Sequence, residues 1–341
     1  MWLQKIKRFA LVPVLLMGIS LFGQDQNVQQ LISEGIALHD EGKYDEAIAR
    51  YRSALILLPG SSLASYEMAF SYFRLQKYDS AIKYGSQALD QNNGSQHESY
   101  IVLGNSFDLM GQPGKAVKVY EEGLKNYPNS NLLNYNLALT SYNQKDYKKA
   151  EQAVINAINA RPTHASSHSL LAVIMKQSGK RIKSILPLYY FLMLEPNSSR
   201  SLANYKSLRS QLDEGVERKD EKNISVNIIM DQKESDEFGA AEMMISLLAA
   251  SKHTDENENK TDIEHFNKTN EGIFSVLGEL KKDNKGFWWD FYVTRFYDLI
   301  KSKNIEAYSY YISQSAGTDE VKNWIADHKS LVQRLENWIK Q

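Results

Sequence analysis

A period of about 34 residues constrains this 341-residue chain more than any other feature. Alanine recurs at Ala47, Ala81, Ala116 and Ala150, with separations of 34, 35 and 34, and Ser184 follows after another 34. A closing proline recurs at Pro59, Pro128, Pro162 and Pro196, with Asn93 in its place once. The small residue before it recurs as Ala54, Ala88, Gly123 and Ala157, then gives way to Phe191. A period of this length is one supersecondary unit, which buries its apolar face only by stacking on neighbours. The fullest unit reads Tyr100-x-x-Leu103-Gly104-x-x-Phe107, then Ala116-x-x-x-Tyr120, then Pro128. Gly104, Ala116 and Gly123 are small where two antiparallel helices cross, Tyr100, Phe107 and Tyr120 fill the space around the crossing, and Gly111-Gln112-Pro113-Gly114 reverses the chain. Five units run from about residue 27 to 196, and Ser199 to Leu212 reads as a sixth first helix.

In those positions the chain resembles the tetratricopeptide-repeat superfamily over a little more than half its length. The resemblance implies an all-α, right-handed solenoid of helical hairpins that holds a peptide or protein in its concave groove, without catalysis. It also implies which residues line that groove. In the second unit they are Tyr66, Phe70 and Phe73; in the third, Ile101, Asn105 and Asp108; in the fourth, Tyr135, Leu139 and Tyr142. The first unit offers Ile32, Ile36 and His39, and the fifth Ser169, Val173 and Lys176. One subgroup of the family grips a free carboxylate with Lys and Asn at such positions; here only Asn105 and Lys176 are of that kind, so the expected ligand is an apolar or aromatic peptide or partner segment. Two alternatives stand beside this. The aromatics pack on one another as core, or the protein is an assembly subunit whose groove is filled by its own C-terminal domain.

The N-terminus carries Lys5, Lys7 and Arg8, then an apolar run from Phe9 to Phe22, then Gly23-Gln24-Asp25. This pattern predicts a secretory signal peptide over residues 1–23, the run being short for a membrane span, with a retained anchor as the alternative. Its ending, with the many Asn, Lys and Tyr residues, is similar to exported Bacteroidota proteins, which implies the periplasm or cell surface of a Gram-negative bacterium. Without that segment the formal net charge moves from −1 to −4, which argues against a nucleic-acid partner. No later apolar run reaches membrane-spanning length. Cysteine is absent, which excludes disulfides, thiol catalysis and thiolate metal sites.

Nothing in the motifs points to an enzyme or a cofactor. Gly111 to Lys115 ends like a phosphate loop but lacks its first glycine and is the turn of the third unit. His164 and His168 stand four apart, a metal-compatible spacing, yet His168 occupies the first aromatic position of its repeat. Glu256 and Glu258 lie in a polar run with no apolar frame. Beyond the solenoid (24–212), a charged linker over 213–237 contains Ile224 to Met230, which alternates like a short strand with no evident partner. A small helical domain follows over 238–341, with helices at 238–250, 262–280, 287–300, 305–313 and 319–339. Its core should centre on the third of these helices, aromatic on more than one side through Trp288, Trp289, Phe291, Tyr292, Phe296 and Tyr297, with Trp324 and Trp338 as further anchors. The second helix of the fifth unit, Ile185 to Leu194, is apolar on every side, so the sequence predicts that something outside the array covers it.

Overall fold

The computed structural model describes residues 12–91, 96–218, 224–226, 237–252, 254 and 259–341. These fold into two compact units, one ending at Gln144 and one running from Lys145 to Gln341. Lys5, Lys7, Arg8, Glu256 and Glu258 lie outside the described residues.

The first unit is a row of helical hairpins: α1 (Val12–Asp40) with α2 (Tyr44–Leu57), α3 (Ser62–Arg74) with α4 (Tyr78–Asp90), α5 (Gln96–Leu109) with α6 (Pro113–Asn126), then α7 (Asn131–Asn143). α1 runs unbroken through Gly23. Inside a hairpin the two helices touch through paired positions 16 residues apart. A Cβ at Gly35 would overlap the Tyr51 ring, and one at Gly104 would overlap the Tyr120 ring, so a glycine on the first helix makes room for a tyrosine on the second. In the second hairpin the sizes are exchanged: Ala69 faces Gly85. Each arrangement keeps the crossing filled, as close packing demands. Tyr51 and Tyr120 are accordingly buried, as are Ala47, Ala81 and Ala116.

Every hairpin turns the same way. Gly42, Gln76, Gly111, Lys145 and Gly179 all have positive φ, between 57° and 78°. Two backbone bonds close the turn after α5, Gly111 N–H to Asp108 O and Gln112 N–H to Phe107 O, both 2.9 Å, and the same pair recurs after α1, α3 and α9. This left-handed cap satisfies carbonyls that the helix end leaves over, and glycine adopts it without strain. Serines cap the next helices: the Ser61 hydroxyl accepts from Ala64 N–H and the Ser130 hydroxyl from Leu133 N–H.

The second unit contains α8 (Tyr147–Ala160), α9 (Ala165–Gln177), α10 (Arg181–Leu194) and α11 (Ser201–Leu212), followed by a two-stranded antiparallel ribbon of β1 (Val216–Arg218) and β2 (Ile224–Val226). The strand expected at Ile224 thus finds its partner in the stretch read as charged linker, with Val216 opposite Val226. Helices α12 (Gly239–Ser251), α13 (Asp262–Leu280), α14 (Thr294–Lys301), α15 (Ile305–Ile312), α16 (Asp319–Asp327) and α17 (Lys329–Ile339) complete it.

Two helices differ from expectation. The helix expected over 287–300 opens with a π-helical turn, Trp288–Val293, before α14 begins. The wider turn leaves Trp288, Trp289, Tyr292 and Val293 all buried, and the Thr294 hydroxyl bonds the Trp289 carbonyl at 3.0 Å. The helix expected over 319–339 breaks at His328, whose backbone leaves the helical region and whose Nδ1 lies 2.8 Å from the Trp324 carbonyl. Trp324 and Trp338 are half-buried rather than central, Trp324 lying between Tyr310 and His328 in a ring stack.

The cover expected over the fifth repeat is present. Twelve of the 14 residues of α10 are buried. α11, α12, α15 and the π-helical turn all pack on this helix. Tyr189 sits at the centre, its ring 4.9 Å from Phe274 and 5.8 Å from Phe296, its hydroxyl donating to Asn270 Oδ1 at 2.5 Å, while Tyr308 donates to the Tyr189 carbonyl. At the helix start Arg181 donates through Nε to Glu242 of α12 at 2.6 Å and through Nη1 to the Glu214 carbonyl at 3.0 Å. Burial pushes the Glu242 carboxyl up despite this partner. Lys183 pairs with Glu237 at 3.0 Å, and Glu237 also accepts from Trp289 Nε1 at 2.7 Å. Buried charges held in this way fix position more than they add stability, and removing one partner is costly.

Candidate functional site

Successive first helices of the first unit lie side by side, α1 on α3, α3 on α5 and α5 on α7. Their exposed faces form one continuous surface, because residues four and seven apart share a helix face. Tyr66, Phe70 and Phe73 on α3, Asn105 and Asp108 on α5, and Tyr135, Leu139 and Tyr142 on α7 are all half-buried. Full burial would make them core, and full exposure would leave them unsupported.

The aromatic end of this surface is a supported stack. The His39 ring lies 4.6 Å from Phe70 and nearly parallel, and the Tyr66 ring is parallel to Phe70 at 6.2 Å. His39 is itself buried, with Nδ1 2.7 Å from the Ser71 hydroxyl, so it backs the groove instead of lining it. Ile32 likewise belongs to the core of the first hairpin. Phe73 packs on Tyr78 at 5.8 Å. Beside them Glu67 is half-buried; desolvation, with the Asp40 charge added, raises its carboxyl to about 7. That carboxylate carries no signal in the repeat pattern and was not among the residues read from it.

The two polar groove positions on α5 already carry internal bonds. Asn105 Oδ1 accepts from the buried Tyr120 hydroxyl at 2.7 Å, and Asp108 Oδ2 accepts from Thr140 of α7 at 3.0 Å. Asn105 therefore anchors the tyrosine that Gly104 admits, and Asp108 joins neighbouring hairpins. Lys176 belongs to the second unit and is exposed there, as is Val173, one turn before it.

The histidine pair does not converge on a metal. His168 Nε2 donates to the Pro162 carbonyl at 2.8 Å, so Nδ1 accepts from the Tyr292 hydroxyl at 2.7 Å, and both nitrogens are taken. His164 Nδ1 lies 2.8 Å from the Ser167 hydroxyl. Burial lowers His168 to about 4, which keeps the ring neutral. Among the described residues no group of three His, Asp or Glu side chains is placed to hold a metal ion, and no helix is long and apolar enough to cross a membrane.

Two profiles of the tetratricopeptide repeat match this chain, over residues 61–129 and 101–165. The hairpins over residues 61–165 are thus similar to tetratricopeptide repeats. Neutrophil cytosol factor 2 of Mus musculus is 31% identical over 119 residues, which is 34% of this chain and 19% of that protein. A TPR repeat-containing protein of Methanocaldococcus jannaschii is 25% identical over 155 residues, 43% of this chain and 27% of that protein. The chain thus spans between a fifth and about a quarter of the curated relatives it matches. Among solved structures, YrrB, a TPR protein with an unusual peptide-binding site, aligns with a TM-score of 0.44 at 17% identity over 55% of this chain and 97% of its own. Pseudomonas aeruginosa pilF aligns with a TM-score of 0.46 at 17% identity over 56% of this chain and 90% of its own. Tetratricopeptide repeats generally mediate protein–protein interaction.

Proposed function

We propose that the first unit is a protein-binding scaffold whose groove takes an apolar or aromatic segment of a partner, and that the protein works in the cell envelope after export. The observation that carries the reading is the half-buried aromatic row of Tyr66, Phe70 and Phe73 with Tyr135, Leu139 and Tyr142, braced from behind by His39. Rigid, partly desolvated aromatics are the usual anchors of binding energy, and a contiguous apolar surface marks an interaction site. The polar positions between them support the reading: Asn105 and Asp108 are engaged internally, so the groove offers little that would select a carboxylate.

The alternative, a groove filled by the chain's own C-terminal helices, is less well supported. Within the second unit those helices cover α10, while Val173 and Lys176 on the groove face of α9 remain exposed. Export rests on the basic and apolar N-terminal pattern alone. Intact-mass measurement of the protein from fractionated cells should show a mature chain beginning near Gln24, and material retaining residues 2–22 would overturn that part.

Binding is tested by replacing Phe73 and Tyr142 with alanine together. The variant should lose partner capture from envelope extract, with each anchor worth about 2 kcal/mol, and keep its far-UV circular dichroism. Unfolding of the double variant would show that the aromatics are core and that the groove reading is wrong.

A further inference from the structure

The second unit carries a cleft that the solenoid reading does not use. It has a volume of about 570 Å³ and lies where α17 passes the turn between α14 and α15. Its wall on α17 is formed by Ser330, Gln333, Arg334, Asn337 and Trp338, and Asn304 contributes from the turn. The α17 residues fall three, four and seven apart, so they form one stripe along the helix, opposite the buried Leu335.

The chemistry of that stripe is specific. Among the described residues no carboxylate lines it, and Trp338 supplies the only aromatic or large apolar side chain. The other groups are amides and hydroxyls, each able to donate and to accept, plus one guanidinium. Pockets for drug-sized apolar molecules are lined mainly by hydrophobic side chains, and peptide grooves present several apolar pockets at regular spacing. This cleft presents neither. An aromatic plane beside paired donors and acceptors matches a sugar, whose ring has an apolar C–H face and a rim of hydroxyls.

The aromatic and the guanidinium are both held in place. Arg295 stacks its guanidinium 3.8 Å from the centre of the Trp338 ring and donates through Nη2 to the carbonyls of Trp338 and Ile339, each at 3.0 Å. Arg334 donates through Nε to Asn304 Oδ1 at 2.9 Å and through Nη2 to the Lys303 carbonyl at 2.8 Å. Asn304 is buried and its Nδ2 donates to the Ser302 hydroxyl at 3.0 Å, so the turn that presents it is fixed as well. Groups held in this way lose little freedom on binding. Gln333 and Asn337, by contrast, are exposed on the rim, where Gln333 Nε2 donates to Asn337 Oδ1 at 3.3 Å and to the Glu336 carboxylate at 3.4 Å.

We infer that this cleft is a carbohydrate-binding site, in which Trp338 carries the sugar ring and Gln333, Asn337 and Arg334 bind its hydroxyls. The site shares no residue with the groove of the first unit, and its success or failure leaves the scaffold reading untouched. The probes are maltohexaose, cellohexaose and chitohexaose, with hexa-alanine as the peptide control, each titrated into the full chain by calorimetry and by saturation-transfer NMR. At least one sugar should bind with a Kd of about 1 mM or tighter. Trp338→Ala should weaken it at least about tenfold, and Asn337→Ala and Gln333→Ala, both at exposed positions, should weaken it severalfold with melting temperature unchanged. If none of the sugars binds at 10-fold the expected Kd, if the rim variants bind as well as the parent, or if hexa-alanine binds in place of the sugars, the inference is overturned.

Discussion

The third and fifth hairpins share a turn and a repeat position, yet their second helices meet different surroundings. In α6 only Ala116, Val117, Tyr120 and Gly123 are buried, whereas α10 is buried on almost every side. The turns are the same: Gly111 and Gly179 have φ of 70° and 74° and donate to equivalent carbonyls. Hairpin geometry is therefore indifferent to what lies outside it. The outer face of the second helix decides whether the array meets water or another layer of protein. Where Gly123 lets the next helix approach, Phe191 stands in α10, buried, with the Arg200 guanidinium over its ring. Ser184 replaces the repeated alanine and remains compatible with burial because its hydroxyl donates to the Ala172 carbonyl at 2.9 Å.

The comparison breaks most visibly if the cover is removed. A chain ending at Leu212 would strip α12, α15 and the π-helical turn from α10, leaving large apolar side chains such as Tyr189, buried in the intact protein, without their cover. Each such side chain corresponds to about 2 kcal/mol by area, so several together approach the stability margin of a whole domain. The truncated chain should aggregate or melt far below the full protein in light scattering and calorimetry. A monomeric fragment with an unchanged melting temperature would show that the fifth hairpin needs no cover.

A second test uses the position that is Tyr100 in one hairpin and His168 in the other. His168 is fully buried and held neutral, its value lowered to about 4 from 6.5 by burial. In the unfolded chain it takes up a proton below about pH 6.5, so the unfolded state binds more protons and stability falls as pH drops from 6.5 towards 4. The loss should approach about 3 kcal/mol at the lower limit. His168→Phe should flatten this acid limb while lowering stability at pH 7, since Tyr292 and Pro162 lose a partner. Urea melts across this range give the slope, and an unchanged slope in the variant would assign the acid sensitivity elsewhere.

The repeat period marked where the hairpins begin and turn, because spacing on a helix is a local property. The apolar run Ile185 to Leu194 likewise announced its cover, since a helix apolar on all sides has no stable exposed state. What was not legible depended on partners distant in sequence. Nothing local marks Glu242 as the partner of Arg181, or Val216 as the partner of Val226. The π-helical turn was hidden for another reason, as an aromatic run reads the same in either winding. Asn105 and Asp108 show the same limit within the site: their positions were legible, but their bonds to Tyr120 and Thr140 were not.

A smaller effect separates two glycines that look alike. A Cβ at Gly104 would overlap the ring of Tyr120, and one at Gly278 would overlap that of Tyr297. Tyr120 is buried with its hydroxyl tied to Asn105, whereas Tyr297 is only half-buried and its hydroxyl meets Glu279 at the surface. Gly104→Ala should therefore destabilise by about 1–2 kcal/mol, overpacking outweighing the gain in helix propensity. Gly278→Ala should cost less than Gly104→Ala, because the half-buried Tyr297 has solvent to turn into although the added Cβ meets the root of its ring. Chemical denaturation of the pair measures the difference, and equal losses would mean that ring burial does not control the outcome.

The smallest expected effect tests the shared turn itself. At Gly111 and at Gly179 an added Cβ would meet nothing within 4 Å, so the cost of alanine there is purely the left-handed backbone. That cost is about 1 kcal/mol for an L-residue, partly offset because alanine restricts the unfolded chain. Gln76 and Lys145 already occupy the same position with φ of 57° and 63°, which shows that the turn tolerates a side chain. Gly111→Ala and Gly179→Ala should then destabilise by similar amounts, within about 0.5 kcal/mol of each other, despite the open face of α6 and the cover on α10. A much larger loss at Gly179 would mean that the cover constrains the turn as well as the helix, and that the two hairpins differ in more than their outer faces.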